Sequence, residues 1–175
     1  MNDDAARTDG VILIAFGANL PTVEYGAPAK TLKAALKRLT ADGDISVAAV
    51  SPFYETAPVP ISDQPWYVNG VARIETRLHA RDLLDRLHIV EAEFGRVRHA
   101  RNEARAIDLD LIAYGDELLV EQEGIQVPHP RMHLRAFVLL PLRDIVPDWQ
   151  HPQLFQSVDD LISGLPADQE IRRQP

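Results

Sequence analysis

Cysteine is absent from the 175 residues, which removes disulfide frameworks, thiolate zinc sites and cysteine nucleophiles. Any chemistry must come from oxygen and nitrogen groups. Positive charge is also short: 18 Lys and Arg stand against 26 Asp and Glu, a net charge of -8. That balance argues against binding nucleic acid, because affinity for the phosphate backbone needs clustered cations. No apolar run is long enough to span a membrane, and the acidic start "MNDDAARTDG" is unlike a signal peptide, so the sequence reads as soluble and cytoplasmic. A Gly-x-x-x-x-Gly-Lys-Ser/Thr loop is missing, which excludes nucleotide binding of the P-loop type, and "FGAN" at 16–19 holds too little glycine to cradle a phosphate. Internal repeats and low-complexity tracts are missing as well.

What is present is 46% hydrophobic composition, enough for one core in a chain too short for two domains. The expected divisions are a flexible polar N-terminus over 1–10, one domain over 11–165 and a polar tail over 166–175. "VILIAF" (11–16) is a β-branched apolar run that predicts a strand covered on both faces, followed by a Pro- and Gly-bearing loop to Pro28. Leu32, Ala35, Leu36 and Leu39 recur at helical spacing and predict an amphipathic helix closing near Gly43. "DISVAAVSPFYET" (44–56) predicts a second strand, and the three prolines of "APVPISDQP" a stiff irregular loop.

"WYVNGVARIET" (66–76) predicts a third strand, with Tyr67, Asn69 and Val71 on one face and Trp66, Val68 and Gly70 on the other. "ARDLLDRLHIVEAEFG" predicts a helix with Leu84, Leu87, Glu91 and Phe94 on one stripe, Glu91 standing where an apolar residue is expected. "LRAFVLLPLRDIV" predicts a helical segment interrupted at Pro141. The succession strand, helix, two strands, helix, strand points to an α+β class: a ferredoxin-like βαββαβ core with an antiparallel sheet and a C-terminal helical extension.

One strand carries the functional signal. "IDLDLIAY" (107–114) places Ile107, Leu109, Leu111 and Ala113 on one face and Asp108 and Asp110 on the other. Two carboxylates at positions i and i+2 lie roughly 6–7 Å apart and repel by about 2 kcal/mol at an effective dielectric near 20. Exposure to solvent is one way to accommodate them. A hard cation is another, and carboxylate oxygens suit Mg²⁺. Just upstream, "GRVRHARNEAR" gathers Arg96, Arg98, Arg101 and Arg105 beside His99, more guanidinium than two carboxylates require. Arginine is the preferred side chain for bidentate contact with phosphate oxygens, so a basic loop feeding an acidic pair suits a metal-bound polyphosphate. His129, in "VPHPRMHLR", lies between prolines that fix its direction.

Three stretches, "FYETAPVPISDQPWYVNGV", "FGRVRHARNEARAIDLDLIAYG" and "VPHPRMHLRAFVLLPL", resemble in order and spacing the 6-hydroxymethyl-7,8-dihydropterin pyrophosphokinase family of the folate pathway, over about residues 11–150. The resemblance implies transfer of the β,γ-diphosphate of ATP to the pterin hydroxymethyl group, leaving AMP. It implies two Mg²⁺ ions on Asp108 and Asp110, with Asp110, Arg96 and Arg105 taking catalytic parts. The pterin site would comprise Thr56, Tyr67, Asn69 and Phe137, with the backbone near Ala57 and Val59. The ATP side would comprise Arg96, Arg98, Arg105, His129 and Arg135, with Leu111, Ile125 and Gln126 lining the adenine site through backbone contacts. Glu91 falls where the family carries an acidic residue near the pocket. ATP and the pterin are the implied partners, on a monomer.

The chain also departs from that pattern. Many members read Arg-Trp-Gly-Pro-Arg where this chain has Arg101-Asn102-Glu103-Ala104-Arg105, so Trp66 is a candidate for the missing tryptophan's closing role. His99 stands for a frequent lysine and Pro130 for a frequent tyrosine. A non-catalytic pterin- or nucleotide-binding relative is the competing reading, and a plain interaction module with a solvent-facing acidic strand is a third. Retention of Asp108, Asp110, Arg96 and Arg105 speaks against the non-catalytic relative, because binding alone does not need every metal and phosphate ligand, while absence of Mg²⁺-dependent ATP binding would favour the interaction module.

Overall fold

The computed structural model describes residues 10–96, 105–121 and 124–175. Its centre is a six-stranded sheet with helices on both faces. Strand β1 (Ile12–Ala18) is buried along its whole length, as its unbroken apolar run requires. Helix α1 (Pro28–Leu39) begins with a proline in the first turn, where a missing N–H costs nothing, and buries Leu32, Ala35, Leu36 and Leu39. Strand β4 (Tyr67–Thr76) pairs antiparallel with β1, and β5 (Asp108–Tyr114) pairs antiparallel with β1 on its other side.

The stretch 44–56, expected as one strand, forms two: β2 (Ile45–Val50) and β3 (Tyr54–Thr56). Both pair with β4, and the break falls at Pro52, which has no N–H to offer a ladder. Ser51 closes the gap. Its backbone exchanges with Val71, its N–H donating to the Val71 carbonyl at 2.9 Å, and its hydroxyl accepts from the Val71 N–H at 3.0 Å.

Helix α2 (Ala80–Glu93) buries Leu83, Leu87, Val90 and Glu91. The stripe therefore runs through Leu83 rather than Leu84, a rotation of one residue from the expectation, and Leu84 and Phe94 only flank the core. Past β5, a short hairpin of β6 (Leu119–Val120) and β7 (Gln126–Val127) leads to a 3₁₀ turn at Met132–Leu134 and to α3 (Ala136–Ile145). Pro141 lies inside α3 without ending it, and α4 (Val158–Ser163) follows behind a Ser157 capping box. Strand β8 (Ile171–Arg173), from the segment expected to be a polar tail, pairs antiparallel with β3 and extends the sheet. The sheet order is β5-β1-β4-β3-β8, with β2 also on β4.

Two cores result. Ile14, Phe16, Leu32, Val68, Ile74, Leu87 and Leu109 pack between the sheet and the α1/α2 layer, while Leu13, Ala15, Val71, Val138, Leu139 and Leu142 pack under α3 and α4. Alternation sends Val68 to the first and Val71 to the second, as expected for β4. In β5 the alternation breaks. Leu109 and Leu111 face the α1/α2 layer, but Ala113 faces α3, because a bulge skips Ile112 opposite β1: Ile14 pairs Leu111 and Leu13 pairs Ala113.

Candidate active site

The candidate site lies where β1 ends and β4 and β5 begin. Asp108, Gly17 and Asn69 occupy one cross-strand row, since Gly17 pairs with both of the others. Residues directly opposite in an antiparallel sheet share a face, so the Asp108 carboxylate and the Asn69 amide project to the α3 side, two strand spacings or about 10 Å apart. Gly17 between them is a spacing requirement: a Cβ there would stand 2.6 Å from Asn69 Oδ1. Asp110 follows in the next row on the same face, opposite Ala15.

Helix α2 delivers the first arginine. Gly95 adopts a left-handed φ of 80°, the Gly95 N–H donates to Ala92 O and the Arg96 N–H to Glu91 O, a Schellman ending that only glycine adopts without strain. This turn folds Arg96 back over Glu91, and their side chains pair. Glu91, 1% exposed, also accepts from the Leu109 N–H at 2.6 Å, which links the helix end to β5 beside Asp108. Arg96 Nη1 reaches Asp108 Oδ1 at 2.6 Å, and Arg105 Nη1 donates to Asp108 Oδ2 at 2.9 Å.

Asn19 holds the second arginine. It is 2% exposed; its Oδ1 accepts from the Arg105 N–H at 2.8 Å and its own N–H donates to Arg105 O at 3.1 Å. Its Nδ2 donates to Gln64 Oε1 at 3.2 Å and to Pro65 O at 3.1 Å, and the Tyr67 hydroxyl donates to the same Gln64 oxygen at 3.3 Å. One side chain thus ties the arginine region to the proline-rich loop. Sequence reasoning missed this role of Asn19, and Gln64 with it, because a polar residue in a loop carries no signal of partners so far away in the chain.

On the opposite flank Asn69 Nδ2 donates to Thr56 Oγ1 at 2.7 Å, and both residues are buried. Tyr67 is half-buried, and burial raises its hydroxyl pKa first, with Asp108 acting in the same sense and Arg105 against it. Ala57 is partly exposed and Val59 fully on the surface. The Arg135 guanidinium stands 5.3 Å over the Phe137 ring at the start of α3. Burial and Arg131 lower the Arg135 pKa from its ordinary value, while the Asp110 and Asp108 charges pull it back up.

His129 is anchored to the same strand: its N–H donates to the Ile112 carbonyl at 2.8 Å, at the residue the bulge leaves without a β1 partner. Its Nδ1 accepts from the Arg131 N–H at 3.2 Å, and burial, aided by Arg135 and Arg131, pushes its pKa down to about 4. The imidazole is therefore neutral at pH 7. Leu111 and Ile125 point into the α1/α2 core, so any contact they make with a ligand runs through the main chain; Gln126 is exposed on β7. Arg98, Arg101 and His99 lie outside the described residues, as does the segment 101–104 that departs from the family pattern.

Burial, and then the Asp110 charge, raise the Asp108 pKa; Arg105, Arg96 and Arg135 oppose them. Asp108 Oδ1 is buried and accepts no hydrogen bond, since Arg96 approaches it as a charge without hydrogen-bond alignment. A buried carboxylate oxygen that meets a guanidinium but accepts no hydrogen bond, beside a second carboxylate on the same face, would suit a divalent cation. Among the described residues no group of three or more His, Asp or Glu forms a metal cage. Two carboxylates on one face would suit Mg²⁺, which takes one or two carboxylates and fills its remaining positions with water and substrate oxygens.

Two arginines folded onto Asp108, with Asp110 on the same face, at the open end of an antiparallel sheet flanked by helices, suit a mixed α and β enzyme of the phosphoryl-group-transfer class. The chain belongs to the 7,8-dihydro-6-hydroxymethylpterin-pyrophosphokinase (HPPK) family, whose model matches residues 13–147. It is 41% identical over 164 residues to the 2-amino-4-hydroxy-6-hydroxymethyldihydropteridine pyrophosphokinase of Pseudomonas aeruginosa, covering 94% of this chain and 96% of that one. The Haemophilus influenzae enzyme of the same name is 39% identical over 162 residues, covering 93% and 97% of the two chains. Among solved structures, a Plasmodium falciparum HPPK-DHPS superimposes with a TM-score of 0.67 at 11% identity, covering 93% of this chain and 47% of that one. The chain thus spans less than half the length of such HPPK-DHPS chains, and at that identity the likeness is one of fold. No helix among the described residues is long and apolar enough to cross a membrane.

Proposed function

We propose that this chain transfers the β,γ-diphosphate of ATP to 6-hydroxymethyl-7,8-dihydropterin, giving the pterin diphosphate and AMP in folate biosynthesis. The pterin hydroxyl oxygen forms the new bond to the β-phosphorus, the bond from that phosphorus to the α,β-bridging oxygen breaks, AMP departs with that oxygen, and the hydroxyl proton is released. The observation that carries this reading is the row Asp108–Gly17–Asn69, which holds an arginine-bracketed carboxylate and a buried amide side by side across a glycine gap.

Each side chain then has a task. Asn69 and Thr56 present hydrogen-bonding groups to the polar edge of the pterin, Tyr67 and Phe137 flank its ring, and the Ala57 and Val59 backbone closes the rim. Arg96 and Arg105 exchange Asp108 for phosphate oxygens, Arg135 and neutral His129 add to the phosphate side, and Arg98, outside the described residues, is assigned to the same task. Asp108 and Asp110 would hold two Mg²⁺ ions, which supply charge neutralisation for the triphosphate. Leu111, Ile125 and Gln126 offer main-chain groups to the adenine. Positioning and charge complementarity do most of the work in such a loose transition state, so no strong general base is required. A ferredoxin-like reading of the β1-α1-β2-β4-α2-β5 succession, a monomeric state and a cytoplasmic location belong to the same proposal.

The test is AMP formation in a mixture of protein, ATP, Mg²⁺ and 6-hydroxymethyl-7,8-dihydropterin. AMP appearing only when all are present supports the reading, and loss on chelation supports the metal. ATP binding without AMP favours the non-catalytic relative, and no binding of either substrate leaves Asp108 a structural ion-pair partner of Arg96 and Arg105.

A further inference from the structure

Residues 169–174 touch both walls of the pocket assigned above to the pterin. On one wall, β8 pairs with β3 in the register Tyr54–Arg173, Glu55–Arg172 and Thr56–Ile171. The ladder continues beyond both ends, the Gln174 N–H donating to Phe53 O at 2.8 Å and the Ala57 N–H to Glu170 O at 3.1 Å. Glu55 accepts from Arg172 Nε at 2.6 Å and from Gln174 Nε2 at 3.1 Å, and the Arg172 guanidinium stands 4.8 Å over the Trp66 ring, one residue before Tyr67.

On the other wall Gln169 brackets Arg135. Its Oε1 accepts from the Ala136 N–H at 2.9 Å and its Nε2 donates to Leu134 O at 2.9 Å. The first N–H groups of a helix have no intrahelical partner, and Arg135 at the N-cap of α3 supplies no side-chain cap, so Gln169 does that task from a distant segment. A single extended segment thus bonds to Ala57 within β-ladder distance of Thr56, and to the turn that aims Arg135 and Phe137.

We propose that residues 169–174 are a positioning strap for the pterin pocket, fixing the Thr56 and Ala57 wall against the Phe137 wall through β8, Gln169 and the Arg172 contact with Trp66. The strap touches no substrate itself. The inference rests on the pterin reading above and assigns the binding geometry of that site to a segment that none of the expected ligands occupies. It also gives Trp66 a fixed place under Arg172.

The test uses the full-length protein with Gln169→Ala, Arg172→Ala and Arg172→Lys, measuring pterin and ATP affinities by direct binding, steady-state KM and kcat, and thermal melting. Gln169→Ala is expected to weaken pterin binding by roughly tenfold, the loss of two hydrogen bonds at the turn. Arg172→Ala is expected to weaken it by about threefold, and Arg172→Lys to recover part of that because a cation stays over the indole. For Arg172→Ala, ATP affinity and kcat should hold within about twofold, since no bond to the carboxylate row or to the Arg135 turn is altered; Gln169→Ala also loosens the turn that carries Arg135 and should cost ATP affinity a smaller factor, about threefold, than it costs the pterin. Folded variants with wild-type pterin affinity overturn the strap while leaving the function standing. So does a parallel loss of both substrates with a lowered melting temperature, which is fold support alone. A wild-type protein that binds no pterin overturns strap and function together.

Discussion

Glu91 and Leu109 meet across the junction of α2 and β5: the carboxylate of a residue 1% exposed accepts the strand's backbone N–H at 2.6 Å. The same oxygen meets Arg96. A buried carboxylate on an otherwise apolar stripe is costly unless every partner is in place, and here the partners are a strand amide and an arginine aimed at Asp108. Glu91→Ala should therefore destabilise the fold by about 3 kcal/mol, because it strands a buried N–H and releases a half-buried guanidinium. Glu91→Gln keeps an oxygen for Leu109 and loses the charge that holds Arg96, so its melting point should fall less while ATP affinity still drops. Melting curves and ATP titrations on both variants separate these effects; equal melting points for Ala and Gln would refute the amide's part.

Asp110→Ala tests the metal. The Asp110 charge is one cause of the raised Asp108 pKa, so its removal relieves repulsion and takes no volume from either core. Where both carboxylates are ionised, the variant should be as stable as the wild type or more stable, by as much as about 1 kcal/mol. Turnover should fall roughly a thousandfold and lose its response to Mg²⁺. Near-normal rates at saturating Mg²⁺ would remove Asp110 from the ligand set.

Period-two alternation made Asp108, Asp110, Tyr67 and Asn69 legible in the sequence, because β1 holds them to one face at one end of the sheet. Alternation failed at Ala113, where a bulge depends on how β1 and β5 fit together and no local residue announces it. Pro52 marks the break between β2 and β3, but the β-favouring residues on either side of it make one continuous strand look plausible from sequence. Glu91 stood out as an oddity on an apolar stripe, but its partners, Leu109 and Arg96, become neighbours only once the Schellman turn and β5 are in place. The least legible parts were Asn19 and β8. Both work through partners distant in sequence, and a polar loop residue or an Ile-Arg-Arg tail carries no periodicity to reveal them.

Gly17 and Asn69 yield a paired prediction. Asn69→Ala removes the amide that bonds Thr56 and, in the proposed function, meets the pterin edge, so it should weaken pterin binding roughly tenfold while sparing ATP. Gly17→Ala leaves Asn69 chemically intact but drives a methyl group to within 2.6 Å of its Oδ1, so the amide must rotate away from Thr56. The same selective loss of pterin affinity is expected from a residue that never contacts the ring. Calorimetric titration with each substrate is the measurement, and an alanine at Gly17 with unchanged pterin affinity would show that the gap is not set by that contact.

His129 sets a pH limit on the folded state. Burial, with Arg135 and Arg131, holds its folded pKa at about 4 against an ordinary 6.5. The unfolded chain therefore takes up a proton that the folded chain resists. The associated stability is fully present above pH 6.5 and is lost as pH falls from 6.5 towards 4, on the order of 3 kcal/mol if the whole shift is expressed. Other groups titrate over the same range, so the contrast with His129→Asn isolates the effect; asparagine retains an acceptor for the Arg131 N–H but takes up no proton. The wild type should lose more stability than the variant between pH 6.5 and 4, and the two melting curves should converge in shape above pH 7. Parallel acid limbs would mean that the imidazole charges without opposition, and that neither its burial nor Arg135 and Arg131 hold its pKa down.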